Sequence, residues 1–159
     1  MNNLGFIDIG ANLTHPQLYD QIDLVVKNII SSDTGSVIIT SSNLDDTVIA
    51  LDIIKRYPDL FYTTVGYHPH NAKDFKYEYI DKISQYCKNE RVIAIGECGL
   101  DYYREYSTTK QQTLCFENHL LLATENKAPV FLHERKAHKD FTAILKKYND
   151  DIDKKVVHC

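Results

Sequence analysis

Short runs of apolar residues alternate along the chain with longer segments in which apolar residues recur every three or four positions. The short runs predict six strands, at residues 5–10, 36–40, 61–65, 92–96, 130–133 and 155–158. Continuous apolar runs bounded by turn residues are typical of strands that are covered on both faces of a parallel sheet. The periodic segments predict five helices between them, at residues 16–31, 43–57, 76–88, 108–126 and 137–148.

Six strands that alternate with five helices indicate parallel strands joined by right-handed crossovers. A doubly wound sheet usually carries a glycine-rich phosphate loop after its first strand, and residues 10–14 lack the G-x-G-x-x-G pattern. A (β/α)₈ barrel instead places its chemistry at the C-terminal ends of the strands. Candidate side chains predicted at such ends are Asp8, His68, Glu97, His133 and His158. We therefore predict a single α/β domain over residues 1–159, of the TIM-barrel type but with only about six of its strands.

The fourth predicted strand runs into a carboxylate. Glu97 is expected where this strand ends, with Asp101 in a following loop made flexible by Gly96 and Gly99. Such a carboxylate can also serve only as a helix cap or an ion-pair partner. A functional role for Glu97 is favoured over this interpretation because other predicted strands also end in carboxylate or imidazole side chains.

Glu97, His133 and His158 follow three successive strands, separated by 36 and 25 residues. Neighbouring parallel strands lie about 4.8 Å apart, so these three side chains can converge on one cation. A carboxylate with two imidazoles suits zinc, manganese or another divalent ion and leaves positions for water and substrate. A single histidine at a strand end usually only makes hydrogen bonds. One carboxylate and two histidines at the ends of three successive strands, however, favour a metal site. Three further histidines are not expected to be ligands: His15, His119 and His138.

The composition of the chain limits the classes of partner that it is expected to bind. With 43% hydrophobic and 25% charged residues, the 159-residue chain is expected to be soluble and globular. Its net charge of −4 gives no general attraction for nucleic acid, so such contact needs a local basic patch or a metal. The four cysteines show no C-x-x-C spacing, and neither a signal peptide nor an apolar 18-residue run is evident. Reduced thiols, a cytoplasmic location and no membrane partner are the expectations.

Five segments carry a specific resemblance to a known family: 6–14 (FIDIGANLT), 65–70 (VGYHPH), 94–101 (AIGECGLD), 129–135 (PVFLHER) and 157–159 (VHC). In this order they resemble the TatD family of metal-dependent deoxyribonucleases, which belongs to the amidohydrolase-like barrel group. The resemblance implies that Glu97, His133 and His158 bind a divalent cation, namely magnesium, manganese or zinc. It also implies an enzyme that removes nucleotides from DNA, or from RNA, often at the 3′ end.

The sequence departs from the family pattern in two places near the predicted metal. Gly10 and Asn12 stand where many relatives have H-x-H, which implies fewer ligands there and an accessory role for Asp8 or Asn12. Glu134 stands where a small residue such as cysteine is usual, adding a carboxylate beside the site.

The resemblance covers roughly the first three-fifths of a barrel of about 250 residues. The family continues through two more strands, with an aspartate near the metal that commonly aids water activation. We therefore expect the first and sixth strands to be open edges and part of the apolar core to be exposed. Either the 159 residues are a fragment of a longer gene product, or the chain pairs its edge with another copy.

Basic residues near the predicted strand ends are candidates for binding substrate phosphates. Arg135 and His70 are the foremost of them, beside Arg104 and Lys136. Alternatively, Arg135 pairs with a carboxylate at the site and only holds the metal shell in place. Two neighbouring tyrosines, Tyr102 and Tyr103, offer stacking surfaces for bases, although this signal is weak in a chain with 11 tyrosines.

The leading hypothesis is a metal-dependent phosphodiesterase that acts on nucleic acid as a 3′–5′ exonuclease. Glu97 and His68 are its predicted catalytic residues, and Asp101 is a further accessory candidate. A hydrolase for an amide or ester is the alternative, because the fold alone does not fix the chemistry. A third class, a non-catalytic remnant, predicts metal binding without turnover.

Overall fold

Six parallel strands and six α-helices alternate in the computed structural model, which describes residues 5–159. The strands are β1 (Phe6–Ala11), β2 (Thr34–Ile39), β3 (Phe61–Val65), β4 (Val92–Asp101), β5 (Val130–Arg135) and β6 (Lys155–His158). The helices are α1 (Pro16–Tyr19), α2 (Ile22–Ile30), α3 (Leu44–Arg56), α4 (Ile80–Tyr86), α5 (Thr109–Asn126) and α6 (His138–Leu145). Three 3₁₀ segments span Pro69–Asp74, Tyr77–Tyr79 and Lys146–Tyr148. Residues 1–4 of the predicted domain lie outside the described residues.

The strands form one sheet in the order β1-β2-β3-β4-β5-β6, and every neighbouring pair is parallel. This sheet curls into part of a barrel, which confirms the predicted fold class. Within residues 5–159, β1 and β6 have no strand on their outer sides. Phe6 on β1 is 76% exposed and Val157 on β6 is 51% exposed, so apolar side chains stand open at both edges, as expected.

Two clusters of buried apolar residues hold the helices on the sheet. The smaller cluster joins α2 and α3 to β2, through residues such as Val26, Ile39 and Ile53. The larger cluster covers β3, β4 and β5 and includes Ile95, Phe116 and the other side chains that α5 and α6 place on the sheet. Full burial of one such aliphatic or aromatic side chain contributes about 1.5–3 kcal/mol.

Side-chain caps begin two of the long helices, as the sequence predicts. Asn43 Oδ1 accepts a hydrogen bond from the backbone N–H of Asp46 at the start of α3. Thr108 and Gln111 form a reciprocal capping box at the start of α5.

The other predicted helices are shorter or divided. The single helix predicted at 16–31 is wrong, because the backbone of Gln21 is not helical and separates α1 from α2. The prediction at 76–88 overestimates α4, since its first residues wind as the 3₁₀ turn Tyr77–Tyr79. Likewise the prediction at 137–148 overestimates α6, whose end tightens into Lys146–Tyr148. Hydrophobic spacing does not distinguish such tight turns from α-helix.

The predicted end of the fourth strand at Glu97 is also wrong, because β4 continues to Asp101 and pairs with β5 along its whole second half. Glu97 is the extra residue of a bulge in this pairing, a feature that redirects a side chain. Gly96 and Gly99 have φ values of 138° and 146°. A Cβ at Gly99 would lie 2.0 Å from the carbonyl oxygen of His133. These glycines therefore permit close approach of β5 and do not serve a flexible loop.

None of the helices in residues 5–159 combines the length and apolar character needed to cross a membrane.

Candidate metal centre

Three side chains from neighbouring strands meet at the C-terminal end of the sheet. His68 follows β3, Glu97 stands in the bulge of β4, and His133 lies on β5. One nitrogen or oxygen of each side chain lies within 4.8 Å of the others. All three residues are buried, so the cluster combines a shielded carboxylate with two imidazoles, a donor set that can hold a divalent ion.

The carboxylate of Glu97 is the centre of this cluster. Its Oε1 lies 2.8 Å from His133 Nδ1 and 2.8 Å from His158 Nε2. His68 Nε2 lies 3.4 Å from the same oxygen. Burial opposes ionisation of Glu97, but contacts with the three imidazoles outweigh it and hold its pKa well below the usual range. Glu97 is therefore an anion at neutral pH, as a metal ligand must be.

Two imidazole nitrogens at the cluster lack a hydrogen-bond partner of good geometry among residues 5–159. They are Nε2 of His133 and Nε2 of His158, and both atoms are buried. Buried nitrogens without partners are rare because they lose their bonds to water. His158 Nε2 lies 2.8 Å from Glu97 Oε1 without a well-formed hydrogen bond, which is how atoms that share one ion approach each other. The donor set thus fits a divalent cation.

The hydrogen bonds of His68 distinguish it from the other imidazoles. Its Nδ1 accepts a hydrogen bond from the backbone N–H of His70 at 3.1 Å, so in the neutral ring the proton is on Nε2. Burial lowers the pKa of His68, which keeps the ring neutral near pH 7. His68 consequently presents an N–H donor to the cluster, whereas a ligand nitrogen must present a lone pair.

Asp101, the last residue of β4, lies next to the cluster, where it contacts His70 and His133. Its Oδ2 lies 2.7 Å from His70 Nε2 and 3.5 Å from His133 Nε2. Its Oδ1 accepts hydrogen bonds from the backbone N–H groups of Tyr103 and Arg104. Burial raises the pKa of Asp101, but these bonds outweigh it and lower the pKa to about 2. The short contact with Asp101 fixes the orientation of the His70 ring beside the cluster.

Gln112 and His119 on α5 hold the backbone of the site, and the sequence did not reveal either role. Gln112 Oε1 accepts a hydrogen bond from Asp101 N, and its Nε2 donates to Asp101 O. His119 Nε2 accepts a hydrogen bond from Tyr67 N at 3.0 Å, and its Nδ1 donates to Cys115 O. His119 thereby fixes the residue that precedes His68. Tyr67 lies 52 positions from His119 and Asp101 lies 11 positions from Gln112, so no local pattern signals these bonds.

A cavity of about 420 Å³ lies beside the cluster. Its lining comes from the ends of β1 and β2 as well as from the cluster: Gly10, Asn12, Thr40, Ser42, His68, His70, Asn71, Glu97 and Tyr106. Thr40 Oγ1 is buried and has no hydrogen-bond partner within the described part of the chain. The volume is that of a typical small-ligand site.

The accessory candidates Asp8 and Asn12 both make local hydrogen bonds. Asp8 lies within β1 and not at its end, contrary to the prediction, and its Oδ1 accepts a hydrogen bond from Gly10 N. Asn12 lines the cavity, where its Oδ1 accepts a hydrogen bond from the Thr14 hydroxyl. Glu134 Oε1 accepts a hydrogen bond from Ala137 N and so closes the turn after β5. The expected extra carboxylate is therefore engaged outside the metal cluster.

Arg135 forms no ion pair with a carboxylate in the described residues, although the sequence left that alternative open. Its guanidinium carbon lies 4.1 Å from the centre of the Tyr103 ring. His138 is on the surface of α6, with its side chain 81% exposed, and His15 caps α1 by accepting a hydrogen bond from Gln17 N. Neither side chain belongs to the cluster around Glu97.

Known proteins match this chain over nearly its whole length. Residues 7–159 match the model of the family described as TatD related DNase. The 3′-5′ ssDNA/RNA exonuclease TatD of Erwinia tasmaniensis is 37% identical over 152 residues, which are 96% of this chain and 59% of that protein. The enzyme of the same name from Yersinia pseudotuberculosis is 38% identical over 96% of this chain and 58% of its own length.

Solved structures give the same fold. The crystal structure of a TatD family hydrolase from Entamoeba histolytica superposes with a TM-score of 0.87 at 33% identity, over 98% of this chain and 58% of that one. A TatD homolog from Escherichia coli superposes with a TM-score of 0.80 at 22% identity, over 91% of this chain and 56% of that one. The chain thus spans less than two-thirds of the length of these relatives. Since the family model matches nearly all of it, the chain belongs to the TatD related DNase family.

Proposed function

We propose that this chain carries the metal centre of a phosphodiesterase that removes nucleotides from the 3′ end of single-stranded DNA or RNA. The observation that supports this most directly is the convergence of imidazole nitrogens on one buried oxygen of Glu97. The activity is that named for the Erwinia and Yersinia relatives. A nucleotide-sized cavity beside the cluster supports a substrate of this class.

We infer that Glu97, His133 and His158 are the metal ligands, as the sequence predicted. Nδ1 of His133 and Nε2 of His158 each lie 2.8 Å from Oε1 of Glu97, whereas the bond from His70 N to Nδ1 leaves His68 as a donor. One carboxylate with two imidazoles favours zinc or manganese over magnesium, which prefers oxygen ligands. When bound, such an ion polarises a phosphoryl oxygen and lowers the pKa of a water molecule.

The remaining residues bind and orient the substrate. His68 Nε2–H donates to a non-bridging oxygen of the scissile phosphate, where negative charge grows in the transition state. Arg135, which no carboxylate neutralises in the described residues, binds a phosphate through its planar donors. His70, fixed by Asp101, adds a second contact at the rim of the cavity. Hydrolysis adds water to phosphorus and breaks one P–O bond, which shortens the strand by a nucleotide.

A single-stranded oligonucleotide labelled at its 5′ end tests the proposal. With manganese or zinc, we expect products shortened stepwise from the 3′ end, and Glu97→Gln should abolish them. His138→Gln is the matched control, since it removes an exposed imidazole remote from Glu97. A chain that binds manganese in a calorimetric titration but releases no nucleotide would refute the nuclease and favour a non-catalytic remnant. Cleavage of an amide or ester substrate in place of the oligonucleotide would favour the alternative hydrolase.

We also propose that residues 1–159 act as one domain and that its open edges β1 and β6 associate with further polypeptide. The exposed apolar residues Phe6, Ile7 and Val157 support this, because unpaired strands with apolar side chains bind other strands. A second copy of the chain is one such partner, and polypeptide equivalent to the remaining strands of the longer relatives is another. A cytoplasmic location remains a prediction, consistent with four free cysteines.

A further inference from the structure

An exposed tyrosine beside the metal centre gathers three cationic side chains. Arg135 and Lys136 lie 4.1 Å and 4.5 Å from the centre of the Tyr103 ring, and Arg104 lies 6.0 Å from it. None of these three cations forms an ion pair with a carboxylate in the part of the chain that the structure describes. These three cations form a local positive patch in a chain whose net charge is −4.

The backbone fixes this patch next to the metal cluster. Tyr103 N donates to Asp101 Oδ1, and Tyr102 N donates to the carbonyl oxygen of Arg135, so the ends of β4 and β5 carry the patch together. Lys136 has a φ of 53°, a left-handed conformation that residues with a side chain seldom adopt. This conformation accompanies the placement of its ammonium group over the ring.

We propose that Tyr103, Arg135 and Lys136 form a phosphate clamp that holds consecutive phosphates of a single-stranded nucleic acid next to the scissile one. The proposal rests on the proposed nuclease function and names the part of the substrate that this surface binds. A ring face attracts cations electrostatically while leaving their N–H groups free for an anion. Since Arg135 and Lys136 lie over the ring, Tyr103 serves as a holder of cations and not as a stacking surface for bases.

Binding of a fluorescent single-stranded oligonucleotide, measured by anisotropy in EDTA, tests the clamp without any need for turnover. We expect Tyr103→Leu to weaken binding about tenfold. Tyr103→Phe keeps the ring and should bind as the unaltered chain does. Lys136→Gln should weaken binding and reduce the slope of log affinity against log salt by about 0.7. Lys82→Gln is the charge-matched control, because Lys82 is an exposed lysine that lies over a different ring, that of Tyr79.

The double variant separates the clamp from base stacking. If Tyr103 acts through the cations, Tyr103→Leu should cost little more once Lys136 is already glutamine. Losses that simply add would overturn the proposal, as would equal losses in Lys82→Gln and Lys136→Gln. An absence of oligonucleotide binding by the unaltered chain, or an unaltered affinity in Tyr103→Leu, would also overturn it. Clamp-dependent binding by a chain that cleaves nothing would refute the proposed nuclease and leave the clamp standing.

Discussion

His119 makes the stability of the fold depend on pH. The side chain is fully buried, and this burial lowers its pKa from 6.5 to about 4. In the unfolded chain the imidazole takes up a proton near pH 6.5, whereas in the folded chain it stays neutral down to about pH 4. The unfolded state thus binds more protons in this interval, and the free energy of unfolding must fall as the pH falls through it.

The size of this effect follows from the change in pKa. One pKa unit corresponds to about 1.4 kcal/mol, so a drop from 6.5 to about 4 removes about 3 kcal/mol of stability. The loss begins below pH 6.5 and is nearly complete at pH 4. Because single domains are commonly stable by only about 5–15 kcal/mol, one buried histidine accounts for a substantial part of the acid sensitivity.

His119→Gln is the variant that isolates the effect. Glutamine offers an acceptor for Tyr67 N and a donor for Cys115 O but takes up no proton in this range. Acidic groups such as Glu97 are present in both proteins, so their contributions cancel in the comparison. Urea unfolding in EDTA between pH 7.5 and pH 4 should show the unaltered chain losing about 3 kcal/mol more than His119→Gln. Parallel losses in the two proteins would refute the reasoning.

Two other properties of the fold can be tested by single substitutions. Gly99→Ala should destabilise the chain by about 2 kcal/mol or more in thermal unfolding, because its new Cβ would meet His133 O at 2.0 Å in a strained backbone. Gly10→Ala, whose Cβ would have its nearest contact at 3.6 Å, should have little effect, and an equal loss in both would contradict the proposed close approach of β5. Val157→Lys should lower any self-association seen by light scattering without lowering the melting temperature, since the side chain is exposed on edge strand β6. An unchanged mass would exclude pairing through this edge.

The order of the strands and the incomplete barrel were predictable because each core strand is a short apolar run with turn residues at its ends. The alternation of runs and periodic segments is local, and so is the capping box at Thr108. The second half of β4 was not predictable in this way. Its residues Cys98, Gly99 and Leu100 look like a loop because glycine weakens strands, and only the facing carbonyl of His133 shows why glycine is needed there.

The supporting roles of His119 and Gln112 could not be predicted from the sequence, for a related reason. His119 bonds to a residue 52 positions away and Gln112 to one 11 positions away, so each role exists only once the chain has folded. The position of Arg135 was left open between a carboxylate and a phosphate, since charge alone permits both. The placement of Lys136 and Arg135 over Tyr103 is a consequence of backbone conformation after β5, which residue type does not specify.

The predicted metal ligands and the lining of the substrate cavity come from different parts of the sheet. The predicted ligands Glu97 and His133 stand on β4 and β5, which the larger cluster covers, whereas His158 stands on the edge strand β6. The substrate cavity, in contrast, also needs Gly10 and Asn12, which belong to β1 and the loop after it. β1 is an exposed edge that pairs only with β2 among the described residues. Metal affinity should therefore depend on the core that covers β4 and β5 and on the edge strand β6, whereas the position of the substrate also depends on what covers the edge at β1.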